Sequence, residues 1–324
     1  MQIPEPPTAP CAICGHEKSD PHLEVPDRSS PGSKNLIVRC RGCNMLRSAP
    51  GDKSSGGKTE VAAFDPHHAV ATRRGLIESA CSLFGPLTMR WKSRSVANQL
   101  SPSGPVLEIG CGTGEMASAL GRRGFSVVGI EPDQSARRHA RDRHGLSVLR
   151  NLNEAQPGFS GSVLWHVLEH VEEPVAFLKQ VRSRLGPGGL LVVAVPNAAS
   201  IDAAMYGSSW IAWDVPRHRW HFEPQTLDRA LRSAGFEPQT RSSVPSDTLF
   251  NCSASEFFDS TSLRWTLPFR FARAVWRTLW TLLTATLLGP HRASTLLVSA
   301  RAGPIQEPES ACQGSASSGL PHLV

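Results

Sequence analysis

Hydrophobic positions fall into three textures along the chain. From about Val106 to Val195, short apolar runs alternate with helical patterns: Val106–Ile109, Ser126–Glu131, Leu146–Leu149, Ser162–His166 and Leu190–Val195. Runs of four to six apolar residues between turn signals read as buried strands, and the last is apolar almost throughout, as strands buried on both faces are. Between them lie a helix running to about Arg123 with Gly124 behind it, a polar helix over Asp133–His144 closed by Gly145, and a helix over Pro174–Leu185 with proline at its start. Gly186-Pro187-Gly188-Gly189 reads as a turn before the fifth strand. Farther on come a helix over Pro224–Ala234 ended by Gly235 and two more strands, Phe236–Ser243 and Ser294–Arg301. Strands alternating with helices predict an α/β fold: a Rossmann-like open, mostly parallel sheet flanked by helices.

Before this region the texture is polar. Residues 1–10 are proline-rich, 11–48 hold two cysteine pairs, and 49–66 read as a linker rich in Gly, Ser and Lys. A helical stretch from about His68 to Leu100 is expected to break near Pro86. The expected organisation is a metal module over 1–48, the linker, a domain over 67–302 and a disordered tail over 303–324. The domain carries an aromatic- and His-rich insertion at 197–222 and a basic, apolar helical excursion at 253–291.

Cys11-x-x-Cys14 and Cys40-x-x-Cys43 each bring two thiolates one tight turn apart, the spacing of a tetrahedral zinc site, and Asn35–Arg39 reads as a strand leading into the second pair. The expectation is a small N-terminal zinc ribbon holding structural zinc through all four cysteines. The opening residues, MQIPEPPTAP, lack a basic start followed by an apolar stretch, so no secretory signal is expected and the compartment is read as cytoplasmic.

The chain has 324 residues, 34 Lys+Arg and 28 Asp+Glu, a net charge of +6. The excess is local. Between Asp259 and Glu307 there are six arginines and no acid, whereas the first sixty residues hold eight basic and seven acidic groups. A nucleic-acid reader would concentrate basic charge on its recognition module; four thiolates on zinc carry −2, so nucleic acid is not the expected partner. The segment 263–288 mixes Trp, Phe and Arg with TLLTATLL, and is open to two readings: a lid or dimer surface, or a peripheral contact with lipid. No apolar run reaches 18 residues.

The most informative stretch is VLEIGCGTGEM (106–116): a strand end, three glycines at alternate positions, then a helix. Gly110, Gly112 and Gly114 let the backbone turn sharply and approach a ligand at a helix N-terminus. About twenty residues on, Glu131 closes the second strand, where a carboxylate can accept from two ribose hydroxyls. The turn alone leaves a dinucleotide open: G-x-G-x-x-A is met from Gly112 to Ala117.

Taken in order, E-x-G-x-G-x-G, GIEPD (129–133), WHVLEHVEEP (165–174) and LGPGGLLVVAVPN (185–197) resemble the motifs of class I S-adenosylmethionine-dependent methyltransferases. The resemblance covers roughly Pro105 to Phe236. It implies that Gly110, Cys111, Gly112 and Gly114, with Glu108 supporting the turn, hold the methionine part of the cofactor. It assigns Glu131 and Pro132 to the ribose, Asn151 to the adenine flank and His166 to the cofactor's neighbourhood. The sequence departs from the pattern at Phe159-Ser160-Gly161-Ser162, where an acid is common. Trp210–Phe222 resembles a D-x-P-R-H-x-x-H-F element of one branch of that family. Trp213 and Arg217 are then candidate substrate contacts, and His218, His221 and His166 candidate bases for removing a proton as the acceptor attacks. His166, Glu169 and His170 also spell H-x-x-E-H, able to take a divalent ion. The implied activity is methylation, at O or C, of a small-molecule, sugar or lipid-like acceptor. A ribosomal or transfer RNA methyltransferase that reads RNA with its ribbon, and a non-catalytic cofactor-binding subunit, stand as alternatives.

Overall fold

The computed structural model describes residues 10–28, 30, 32–49, 76–100, 104–258 and 266–303. The expected linker, the helical stretch before residue 76 and the tail beyond residue 303 lie outside the described residues.

Seven strands form the main sheet: β4 (Val106–Ile109), β5 (Val127–Ile130), β6 (Ser147–Leu149), β7 (Phe159–Trp165), β8 (Leu185–Pro196), β10 (Phe236–Ser243) and β11 (Thr295–Ala302). Their spatial order is β10-β11-β8-β7-β4-β5-β6. The pairs from β8 across to β6 are parallel, while β11 runs antiparallel between β8 and β10. This is the expected Rossmann-like sheet, with one reversed strand near an edge.

Burial follows the pleat. In β8, Leu191 and Val193 join the core cluster of Leu107, Leu164, Leu178 and Leu227, while Val192 and Ala194 join Val106, Leu120, Val163 and Leu297. Both faces are therefore covered. Helices α1 (Leu76–Ala97) and α2 (Glu115–Gly121) lie on one side; α4 (Pro174–Arg182) and α6 (Pro224–Ser233) lie on the other. Helix α3 (Gln134–His144) begins at Asp133, whose side chain accepts from Ala136 N–H, and ends at left-handed Gly145.

Three local expectations change. Helix α1 is continuous through Pro86, so the expected break is absent. The Gly186–Gly189 turn is instead a bulge inside β8: Phe159 pairs with Leu185 and Gly161 already with Leu190. Strand β7 starts at Phe159, three residues earlier than expected, and ends before His166.

The N-terminal strands β1 (Ser19–Pro26), β2 (Lys34–Cys40) and β3 (Leu46–Ser48) form an antiparallel sheet. Its fourth strand, β9 (Trp220–His221), comes from the insertion and pairs Leu46 with His221 and Arg47 with Trp220. Val25, Ile37 and Leu46 share one apolar cluster with Tyr206, Trp210, Ile211, Trp213 and Val215. Arg28 donates to the carbonyls of Ser209, Trp210 and Ile211 at 3.1, 2.9 and 2.9 Å, and Arg39 makes a two-pronged pair with Glu223. The cysteine-bearing sheet and the insertion thus have a common core.

Arg28 donates to three consecutive carbonyls, of which Trp210 O also accepts from Trp213 N–H at 3.4 Å. Arg28→Ala is expected to lower stability by about 2–4 kcal/mol in urea unfolding, the range for losing charged hydrogen bonds at a partly buried site. Arg28→Lys, a point donor in place of a fork, should recover less than half of that loss.

Candidate active site

The glycine turn sits at the C-terminal end of the parallel strands, where open α/β sheets bind ligands. Gly110, Gly112 and Gly114 all have left-handed φ, +73°, +52° and +92°. A Cβ on Gly110 would approach Val167 Cγ2 to 2.6 Å. Gly112 differs: a Cβ there would meet nothing within 4 Å. Its backbone therefore borders open space, as a ligand cradle requires.

Glu131 follows β5 and is almost fully buried. Its Oε2 accepts from Gly112 N–H and its Oε1 from Asp133 N–H, both at 2.9 Å. Each carboxylate oxygen keeps a second lone pair, so two neighbouring hydroxyls can still be bound. Burial raises its pKa, and the two backbone donors oppose that rise. Glu108, in β4, is also buried, and its Oε2 has no hydrogen-bond partner among the described residues. Burial pushes this carboxyl up to about 8. An orphaned carboxylate oxygen beneath the turn is a feature that a cationic ligand would satisfy. Cys111 is buried, and burial raises its pKa; it packs with Ala140 and Val148 and is no nucleophile. Pro132 is exposed beside Glu131; Asn151, exposed after β6, starts a short 3-10 turn and bonds Asn153 N–H and Glu154.

His166 takes left-handed φ, +53°, just past β7. Both ring nitrogens meet carboxylates: Nδ1 lies 3.1 Å from Glu169 Oε1, and Nε2 lies 3.2 Å from Asp247 Oδ2. Asp247 opens α7 (Pro245–Phe258); its Oδ1 pairs with Lys92 Nζ at 2.9 Å, and Thr295 Oγ1 donates to Oδ2 at 3.1 Å. Burial alone would strip the proton from His166, yet the bonds to Asp247 and Glu169 outweigh it and lift the imidazole to about 9. Asp247 is buried too, but Lys92 and His166 hold it well below the usual carboxylate range. In this arrangement His166 carries protons on both nitrogens and has no lone pair with which to act as a base. Lys92 and Asp247 were not among the sequence candidates: they come from distant elements, and no local motif marks them.

The insertion folds as α5 (Ile201–Tyr206), two short 3-10 turns and a loop to β9. Trp213 is buried edge-on between Trp210 and His221, with its indole N–H on Gly207 O. It is part of the core rather than an open wall. Arg217 pairs with Asp214 at 2.6 Å while remaining partly exposed. His218 Nδ1 lies 2.8 Å from Ala212 O. A carbonyl only accepts, so Nδ1 carries a hydrogen, and the other nitrogen, Nε2, lies 3.8 Å from Asp214 Oδ2. His221 Nε2 meets Ser48 Oγ at 3.1 Å, and that hydroxyl donates to His218 O at 2.7 Å. Burial keeps His221 neutral, its pKa well below the ordinary value. Ligand atoms of Glu169, His170 and His218 lie within 4.8 Å of one another, and His166 is not in that group.

At the N-terminus, Cys11, Cys14, Cys40 and Cys43 converge. Cys11 Sγ lies 3.7 Å from Cys43 Sγ, and Cys14 Sγ lies 3.6 Å from Cys40 Sγ. Tetrahedral zinc with metal–sulfur bonds near 2.3 Å requires sulfur–sulfur distances of about 3.8 Å, so the cluster fits the ion.

Comparison with known proteins bears on the same stretch. Residues 87–240 match a family model described as a methyltransferase domain. A ubiquinone biosynthesis O-methyltransferase from Cereibacter sphaeroides is 33% identical over 152 residues, which is 42% of this chain and 61% of that protein. One of the same name from Xanthomonas campestris pv. campestris is 30% identical over 154 residues, 43% of this chain and 64% of the relative. The chain thus spans about three fifths of the length of these curated relatives. A SAM-dependent methyltransferase from Archaeoglobus fulgidus, of known structure, aligns with a TM-score of 0.43 at 18% identity, covering 65% of this chain and 92% of that one.

Glu108 sets a pH signature for the ligand-free protein. Its folded pKa of about 8 lies above its ordinary 4.5, so the folded state holds a proton that the unfolded state releases. That contribution to stability is complete below pH 4.5 and is lost as pH rises through 8. Melting temperature measured from pH 5 to 9 is expected to fall less in Glu108→Gln than in the parent; parallel curves would contradict the assignment. The glycine turn, Glu131, His166 and the His218 loop all lie within the part of the chain that matches a methyltransferase domain.

Proposed function

We propose that the chain is an S-adenosylmethionine-dependent methyltransferase that methylates a hydroxyl of a small-molecule or lipid-like acceptor. The observation that carries this reading is the clasp between the glycine turn and Glu131, with Gly112 facing open space, inside the region matching a methyltransferase domain. The choice of a hydroxyl rests on the relatives named O-methyltransferases.

When bound, the cofactor supplies a methyl group on a sulfonium sulfur, open to in-line attack. Glu131 would hold the ribose hydroxyls through its two remaining lone pairs, with Pro132 alongside; Gly110, Cys111, Gly112 and Gly114 would present backbone to the amino-acid end, and Glu108, protonated in the ligand-free protein, would support the turn from below. Asn151 would flank the adenine. His218 is the base we assign: its Nε2, the lone-pair nitrogen of the neutral ring, can take the acceptor's proton as the oxygen attacks, a contribution of roughly 10²–10⁴-fold. His221 and Trp213 are positioning residues, and the His166 ion pairs with Glu169 and Asp247 brace the strand end. Arg217 remains a candidate for an anionic part of the acceptor. The four cysteines would hold structural zinc, which ties the ribbon to the His218 loop through β9 and Ser48.

A divalent ion on Glu169, His170 and His218 is a second use of the same side chains, favoured by their convergence. It would occupy the His218 lone pair, so the two roles are exclusive.

Incubating the purified full-length chain with methyl-labelled cofactor and a panel of phenolic and lipid-phenol acceptors tests the reaction. A labelled methyl ether is the expected product. Label confined to RNA, or cofactor binding with no transfer to any acceptor, would overturn it. His218→Gln is expected to lower kcat by about 10²-fold or more with cofactor affinity unchanged, and His221→Gln to act mainly through stability. Loss of activity in EDTA, restored by magnesium while four-cysteine zinc is retained by elemental analysis, would favour the divalent-ion use of His218.

A further inference from the structure

Among the described residues, one further set of metal-binding side chains converges that includes neither the four cysteines nor the Glu169 group. Ligand atoms of Glu115, His139 and His144 all lie within 4.8 Å of one another. Glu115 is the first residue of α2, directly after the glycine turn, and the two histidines belong to α3, His144 as its last residue. Gly114 lets the two helices approach: a Cβ there would meet Ala140 Cβ at 3.0 Å and Leu146 Cδ1 at 2.6 Å. Ala140 adjoins His139 and lies one helical turn before His144, so the close approach of α2 brings Glu115 to both rings. The ring centroids of His139 and His144 are 6.4 Å apart, with their planes at 65°.

The donors suit an ion. Thr113 Oγ1 donates to Glu115 Oε2 at 2.6 Å, which orients the carboxylate and leaves Oε1 for a further partner. His144 Nε2 is shielded from solvent and has no hydrogen-bond partner among the described residues. A buried polar atom of this kind calls for an occupant that meets it. Two imidazoles and a carboxylate are a set that zinc takes with water in the fourth position; bonds of about 2.1 Å put the donors about 3.4 Å apart. Glu115 and His139 are exposed and can turn that far inward. The surroundings choose among cations. Arg137 and Arg141 donate to the carbonyls of Glu131, Pro132 and Val148, but Arg138 and Arg143 stand exposed on the same helix. Their charge opposes magnesium or calcium, hard ions that want several oxygens. A metal that bonds imidazole does not rely on the field alone. We propose that Glu115, His139 and His144 form a second zinc site, which clips α2 to α3. The Glu131 clasp already joins the starts of these two helices through Gly112 and Asp133, so the ion would be a second tie between the walls of the cradle. The proposal does not depend on which reaction the site performs.

Cobalt titration of the untagged full-length protein tests it, starting from protein dialysed against a mild chelator until elemental analysis finds one zinc per chain, held by the cysteines. The parent is expected to take up one further equivalent of cobalt, with visible d–d bands, no thiolate-to-cobalt charge-transfer band, and displacement by added zinc. The variant His139→Gln/His144→Gln, with unchanged circular dichroism, should bind at least about 100-fold more weakly, and Glu115→Gln at least about tenfold more weakly. His170→Gln should titrate as the parent does. Bound cobalt should raise the melting temperature of the parent and leave that of the double variant unchanged. A parent that takes up no further cobalt overturns the proposal, as does a double variant that titrates or melts like the parent. So does a signal that survives in the double variant and disappears in His170→Gln, which would place the ion at the Glu169 group.

Discussion

The carboxylate of Glu131 carries the candidate site. Two oxygens, each bonded at 2.9 Å to a backbone N–H, tie the turn after β4 to the start of α3. The bond to Gly112 sets the inner wall of the cradle, and the bond to Asp133 sets the direction in which the chain leaves β5. Burying a carboxylate costs energy unless donors meet it. Here backbone donors meet half of its capacity, and under the proposed function a ligand would meet the other half. Glu108 extends the same logic below the turn: its unpartnered oxygen is a buried polar group whose partner would be supplied by binding.

The opposite side of the site is built by a different economy of contacts. The loop with Arg217 and His218 has little secondary structure of its own, so the cysteine-bearing sheet supports it. β9 extends that sheet, Arg28 gathers three of the loop's carbonyls, and Ser48 bridges His218 O and His221 Nε2. Under the proposed function the cysteine-bearing sheet would buttress the acceptor side. Its own strands interleave in chain order with nothing else, yet its core is completed by residues almost two hundred positions away.

What the sequence disclosed depended on range. The α/β architecture, the glycine turn, the Glu131 position, the Gly145 helix end and both cysteine pairs rest on patterns within a dozen residues, and the fold has them. Lys92, Asp247 and Ser48 were invisible because their roles come from tertiary neighbours: an exposed-looking Lys in α1 and an Asp after Pro245 carry no local mark. Trp213 showed as an aromatic near the sheet edge, but packing against Val25, Ile37 and Leu46 draws it inside. His166 was legible in position and not in protonation, because Asp247 decides the latter. Pro86 was read as a break, yet helix α1 continues through it, and Gly186–Gly189 bulges out of β8 without ending it. The composition of 263–288 flagged an unusual helix; which face its arginines take depends on Glu256, outside that segment.

The central claim is that the Glu131 clasp receives the ribose of S-adenosylmethionine. Isothermal titration calorimetry of the full-length chain with the cofactor and with its demethylated product tests it most directly. The account predicts one site per chain in the parent, and an affinity weakened by at least about 30-fold, or ~2 kcal/mol, in Glu131→Ala, the loss of two hydrogen bonds to a buried carboxylate. No heat of binding in the parent, or equal affinity in parent and variant, would contradict it.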